Sequence, residues 1–167
     1  EDAPVLEAAQ LLASRLFKSM GFCGNEANYY APENSCLPSV IDTRRGVPVT
    51  LSVLYLLVAK RLHLPVYGVG TPGNFLLGFR DAGEAFFLDA FRQGKLMDAA
   101  AVKRMLVRNG YEFRPELLKA CGPREILARM MRNLLSIYQR NGSEGRAEQL
   151  STLVEIVLTG RDTGSAP

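Results

Sequence analysis

The sequence predicts an α+β fold: a buried central helix packed on a small antiparallel sheet, followed by an α-helical hairpin. Three observations carry this. Residues 48–63 are apolar on nearly every side of a helical wheel, the pattern of a helix enclosed by the rest of its domain. Residues 66–91 divide into three short runs rich in Val, Phe and Leu, separated by turn formers. Residues 123–158 hold two helical patterns broken at Asn141-Gly142.

Element by element, the first helix covers residues 4–20, with Val5, Ala8, Ala9, Leu12, Leu16 and Met20 at helical spacing. Asp2 is placed to cap it, Pro4 suits a first turn, and Gly21 ends it. The stretch from Phe22 to Val47 is rich in Gly, Asn, Pro and Tyr. A loop of that length is functional or internally packed, and a short helix at Leu37–Thr43 divides it. Pro48 opens the central helix, where its missing N–H costs nothing. Thr50 and Ser52 on that helix are expected to bond back to backbone carbonyls. Strands are expected over Val66–Gly70, Phe75–Arg80 and Ala85–Phe91, the last two joined by Asp81-Ala82-Gly83-Glu84 as a hairpin. From Met97 the pattern returns to helix, with Asp98 capping Ala99–Arg108 and Asn109-Gly110 ending it. Pro115–Ala120 is a short helical piece. Helices over Pro123–Arg140 and Glu144–Leu158 close the chain, the second capped by Ser143.

The composition narrows the function classes. With 167 residues, 47% hydrophobic and 22% charged, the chain buries a real core without staples. A formal charge of +3, without a block of five or six like charges, gives no electrostatic case for nucleic acid. The densest basic spots, Arg44-Arg45 and Lys103-Arg104 with Arg108, read as solvated faces. Cys23, Cys36 and Cys121 have no metal-ligand spacing and read as free thiols of a reducing compartment. No apolar run reaches the length of a membrane span. A start at Glu1-Asp2, without Met, reads as a processed or shortened chain; no signal peptide is visible, and the default location is cytoplasmic.

Four motifs occur in sequence. Residues 24–36 read Gly-Asn-Glu-Ala-Asn-Tyr-Tyr-Ala-Pro-Glu-Asn-Ser-Cys, and residues 44–54 read Arg-Arg-Gly-Val-Pro-Val-Thr-Leu-Ser-Val-Leu. Residues 72–77 read Pro-Gly-Asn-Phe-Leu-Leu, and 87–91 read Phe-Leu-Asp-Ala-Phe. Together they resemble the SirB-type branch of the transglutaminase-like superfamily, which has the papain-like cysteine protease fold and is typically followed by tetratricopeptide-like helices. The resemblance implies a transglutaminase-like domain over 1–122, a tetratricopeptide-like hairpin over 123–160 and a flexible tail over 161–167. It also implies where the chemistry of active members would sit: a thiolate at the start of the central helix, where free N–H groups and the dipole favour it, and a His oriented by Asp across the sheet. In that register the nucleophile position holds Pro48 and the His position holds Asn74, while Asp89 is retained. Ala31 and Ala90 also depart from the branch pattern.

A turn at Ala82-Gly83 pairs Arg80 with Ala85 and Leu76 with Asp89, and sets Asn74 and Asp89 on one face within side-chain reach. Asn can hydrogen-bond there but takes no proton near neutral pH. Pro48, Asn74 and Asp89 are thus expected to form a remnant site with no catalytic residue, metal or cofactor. Tyr29, Tyr30, Asn34, Ser35 and Cys36 in the long loop, with Arg44 and Arg45 at the helix entrance, are the candidates for a pocket or partner surface. A base for Cys36 would have to be the single His63, about 22 Å from the start of the central helix at its far end. There His63 reads as a C-terminal helix residue suited to the dipole. The expected function is a non-catalytic scaffold or regulator that binds a protein or peptide. The alternative is a hydrolase or acyl transferase using Cys36 or Asp89 in a non-standard site.

Overall fold

A computed structural model describes residues 4–160. The elements are α1 (Val5–Ala13), continued by a π-helical turn over Ser14–Ser19, then β1 (Cys23–Gly24), a 3-10 turn at Pro32–Ser35, α2 (Leu37–Thr43), β2 (Arg45–Gly46) and α3 (Pro48–Arg61). There follow β3 (Tyr67–Thr71), β4 (Asn74–Asp81), β5 (Glu84–Asp89), β6 (Lys95–Asp98), α4 (Ala99–Arg108), a 3-10 turn at Pro115–Leu118, α5 (Pro123–Arg140) and α6 (Glu144–Thr159). This is the mixed α+β architecture the sequence predicts. The Asp2 cap and the tail 161–167 lie outside the described residues.

The main sheet is antiparallel with strand order β3-β4-β5-β6. Arg80 pairs with Ala85 and Leu77 with Leu88, the register expected from the Ala82-Gly83 turn. The fourth strand, β6, is a correction: its four residues, Lys-Leu-Met-Asp, are too short to give a period. Pairing with β5, not propensity, makes them a strand. A second unexpected feature is the parallel pair of β1 and β2, which ties Cys23 to Arg45 and Gly24 to Gly46 across the long loop.

Alternation along the strands gives the sheet two packed faces. Leu77, Phe79 and Leu88 meet α1 and α3, with Leu12, Phe17, Leu51 and Tyr55 in the same cluster. Val69, Leu76, Phe87 and Met97 meet Val102, Met105 and Leu106 of α4. A third cluster joins Val47, Val49 and Phe75 to Ile126 and Met130 of α5. The Tyr55 hydroxyl donates to the Ala9 carbonyl at 2.8 Å and fixes α3 against α1. Burial pushes that phenol well above its ordinary ionisation range.

Gly68 and Gly70 let the last unit close on the sheet. A Cβ at Gly68 would stand 3.1 Å from Ile126 and one at Gly70 3.1 Å from the Cys121 sulfur. The Cys121 amide donates to the Gly68 carbonyl at 2.8 Å, and its sulfur accepts from the Gly70 amide at 3.2 Å. α5 then starts with the Glu125 carboxylate accepting from the Gly122 amide at 2.6 Å.

Three local expectations differ from what is found. α3 is enclosed all round only in its first turns; Leu57 is 45% exposed near its far end, where the covering elements stop. Ser52 donates to the Phe75 carbonyl on β4 and not to its own helix, whereas the buried Thr50 hydroxyl has no partner among the described residues. His63 lies beyond the last turn of α3 with φ 56°. Its amide bonds the Lys60 carbonyl at 3.2 Å and the Leu64 amide bonds the Ala59 carbonyl at 2.9 Å, the pair that closes a Schellman motif. Its backbone ends the helix; its exposed side chain is not part of a helical last turn.

Candidate functional site

The start of α3 is built by the long loop. Val47 precedes the helix in extended conformation, and its amide donates to the Asn34 carbonyl at 3.2 Å. Pro48 supplies the first helical residue without an N–H and is buried. Its neighbours Val47 and Val49 are 2% and 1% exposed. α5 lies over this end: Ile126 and Met130 pack on Val47, Val49 and Phe75, together with Tyr29 and Cys121. The space left is a cavity of about 50 Å³ between Tyr29, Tyr30, Ser35, Val47 and Ile137. That is room for a water molecule or two, not for a peptide side chain.

Asn34 organises the loop. Its amide nitrogen donates to the Asn28 carbonyl at 2.6 Å and the Tyr29 carbonyl at 3.2 Å, and its oxygen accepts from Asn25 at 3.0 Å. Both the nitrogen and the oxygen of its side-chain amide are engaged, which identifies a buried loop clamp, not a side chain turned toward a ligand. Tyr29 packs edge-on against Tyr30 and Phe91. Tyr30 is half exposed and carries the Arg140 guanidinium 4.3 Å above its ring. Ser35 is buried with its hydroxyl unpaired among the described residues, beside the small cavity.

Asn74 and Asp89 meet as the strand register requires: Asn74 Nδ2 donates to Asp89 Oδ2 at 3.0 Å. Asp89 is 1% exposed, and its other oxygen accepts from the Arg92 amide at 3.2 Å, with the Arg92 guanidinium 4.0 Å from Oδ2. Asn74 Oδ1 accepts from the Phe75 amide at 2.8 Å, and Nδ2 also approaches the Met105 sulfur at 4.0 Å. The pair is therefore turned toward α4. The strand residue packed against the start of α3 is the next one, Phe75, on the opposite face. The Asn74 carbonyl, with that of Thr71, accepts from Arg129 of α5 at 3.5 and 3.3 Å.

A family model for the transglutaminase-like superfamily matches residues 1–132. This chain belongs to that superfamily. The transglutaminase-like chain is 35% identical over 138 residues to a UPF0162 protein of Xylella fastidiosa, covering 79% of this chain and 49% of the relative. It is 31% identical over 140 residues to a UPF0162 protein of Pseudomonas aeruginosa, covering 84% and 52%. It is 28% identical over 151 residues to mouse F-box only protein 21, covering 86% of this chain and 24% of that protein. The chain thus spans about half the length of these UPF0162 relatives and about a quarter of F-box only protein 21. No solved structure matches it.

The remaining candidates of this transglutaminase-like chain are dispersed. Cys36 caps α2, half-buried, and its thiol has no hydrogen-bond partner among the described residues. Arg44 is the exposed left-handed residue that ends α2, with φ 59°. Arg45 is exposed, with its guanidinium against the Cys23 sulfur, on a surface hollow shared with Phe91 and Arg92. Burial raises the Cys121 thiol above its ordinary range, the bond from Gly70 opposing this in part. His63 sits past the far end of α3, and no cysteine is hydrogen-bonded to it among the described residues. Among those residues there is no metal-ligand cluster, and no helix is long and apolar enough to cross a membrane.

Sequence reasoning passed over Arg92 and Arg129. The spacing of Arg92, three residues after Asp89, was a readable signal. Arg129 had none, since its partners are backbone carbonyls more than fifty positions away.

Proposed function

We propose that the chain is a non-catalytic transglutaminase-like scaffold or regulatory module that acts by binding a protein or peptide. In this reading residues 1–122 form a degenerate unit of SirB type, residues 123–160 a tetratricopeptide-like hairpin, and the setting is cytoplasmic. The observation that carries it is the start of α3. Where active members need an accessible thiolate at the free N–H groups of a helix, this chain has a buried proline under α5 and a cavity of about 50 Å³. The residue at the His position supports the same reading. Asn74 is committed to Asp89 and to its own strand, and it cannot act as a base. The relatives add that the same segment is a part of longer chains, about half of UPF0162 proteins and about a quarter of F-box only protein 21. That arrangement fits a module which presents surfaces.

The hydrolase or acyl transferase alternative finds no partner set. Cys36 lacks a base, and both carboxylate oxygens of Asp89 already accept hydrogen bonds. The test is reaction of the folded protein with an electrophilic thiol probe at neutral pH, read by peptide mass spectrometry. We expect slow labelling of Cys23, Cys36 and Cys121 with no preferred site. Fast labelling confined to Cys36 and abolished by Cys36→Ser would overturn the non-catalytic reading.

A further inference from the structure

We propose that the groove between β6 and α4 binds an acidic, apolar-bearing polypeptide segment. This inference rests on the binding reading above and names the chemistry of the partner. The groove encloses about 520 Å³. Arg92, Lys95, Arg104 and Arg108 line it, and Met97 and Met105 lie at its floor, with no acidic side chain in the lining. The whole chain carries a formal charge of only +3, so four cations in one groove are a local concentration, not a reflection of composition.

Crowding of that kind has a cost. Arg104 and Arg108 stand four residues apart on α4, where like charges repel across one helical turn. Lys95 faces them from β6. Among the described residues Lys95, Arg104 and Arg108 have no ion-pair partner. Two carboxylates stand at its margin: Asp89, 1% exposed, lies 4.0 Å from Arg92 while already holding Asn74, and Asp98 caps α4 by accepting from the Ala101 amide at 2.6 Å. Among the described residues neither carboxylate pairs with Lys95, Arg104 or Arg108, so the groove keeps an excess of positive charge that an anionic partner would relieve.

The floor decides the class of anion. Met97 and Met105 are adaptable, polarizable side chains at 7% and 8% exposure, which gives a narrow apolar seam flanked by cations. An apolar side chain in the seam, with carboxylates on either side, satisfies both parts. A single-stranded nucleic acid would want aromatic faces for its bases, and no aromatic residue lines the groove. The groove also reaches the Asn74–Asp89 pair from outside, since Met105 approaches Asn74 and Arg92 approaches Asp89.

The experiment is fluorescence anisotropy of the full chain with a labelled peptide in which Asp and Glu alternate with Leu and Phe. We expect saturable binding that weakens as salt is raised. The doubly reversed variant Arg104→Glu/Arg108→Glu should lose about tenfold or more in affinity. Lys60→Glu/Arg61→Glu, an equal charge change at exposed positions on the far end of α3, should lose much less. Circular dichroism checks that both variants fold. Absence of peptide binding, or equal losses in the two variants, would overturn the proposal. So would tighter binding of a single-stranded oligonucleotide with the same dependence on Arg104 and Arg108. The thiol-probe result stands apart: a reactive Cys36 removes the non-catalytic reading whatever the peptide does, and failed peptide binding removes the groove assignment while the thiols stay inert.

Discussion

α3 and α6 are both rich in aliphatic residues, yet the protein treats them differently. α3 has α1 and the sheet on its sides, the long loop and α5 over its start, and seven of its side chains are buried, Leu51 and Tyr55 fully so. α6 packs chiefly on α5, and only Ala147 and Val154 are buried, while Leu153 and Leu158 remain 45% and 41% exposed. An apolar pattern thus states what a helix can bury. How many neighbours surround it decides what it does bury. The burial of the enclosed helix is deepest at its start, over Pro48–Ser52. The open helix is the one with surface left for further packing.

Substitutions can break this contrast in order of size. Leu51→Ala should cost roughly 3–5 kcal/mol, read as a shift of the urea midpoint, because α1, α3 and the sheet leave little freedom for the cavity to collapse. Asp89→Ala should cost about 1–3 kcal/mol, since it removes a buried acceptor and leaves the part-buried Asn74 amide and Arg92 backbone donors without their partner. A loss below about 0.5 kcal/mol would mean water reaches the pair. Tyr55→Phe should cost about 1 kcal/mol by removing the bond to Ala9.

Tyr55 also has a signature in pH. Burial raises its folded pKa, so the native state holds the proton longer than the unfolded chain does. Stability is therefore intact below the ordinary tyrosine value of 10.0 and falls as pH rises above it. Cys121, raised from 9.0, begins the same decline earlier. Urea titrations across this alkaline range should show a shallower loss in Tyr55→Phe. The smallest effect belongs to α6: Leu153→Ala should stay within about 0.5 kcal/mol, and a larger loss would show that its exposed face is covered in solution.

Much of the fold was legible because its signals are local and agree with one another. Pro48 marks the start of α3, Ala82-Gly83 sets the register of β4 and β5, and Asp98 accepts from the Ala101 amide at 2.6 Å as an N-cap should. β6 was not legible, since a four-residue strand is defined by its partner. Nor was the positive-φ end of α3: His63 takes a position usually given to Gly, so the sequence showed a titratable residue where the structure uses a backbone turn. At the candidate site, the Asn74–Asp89 contact followed from strand pairing. The role of Asn34 did not, because a side chain clamping Asn28, Tyr29 and Asn25 leaves no periodic trace. The covering of the α3 start by α5 depends on packing across about eighty positions, which no pattern in either segment records.

The segment at Cys121 has a consequence for assembly. β3 is an outer strand of the sheet, and the Cys121 amide and sulfur occupy the Gly68 carbonyl and the Gly70 amide. Outer strands with free backbone groups recruit strands from other molecules. The connection into α5 is thus a guard against self-association as well as a tether. A partner that pulled α5 away would unmask a sticky strand, so release of the hairpin and clustering of chains would be coupled events.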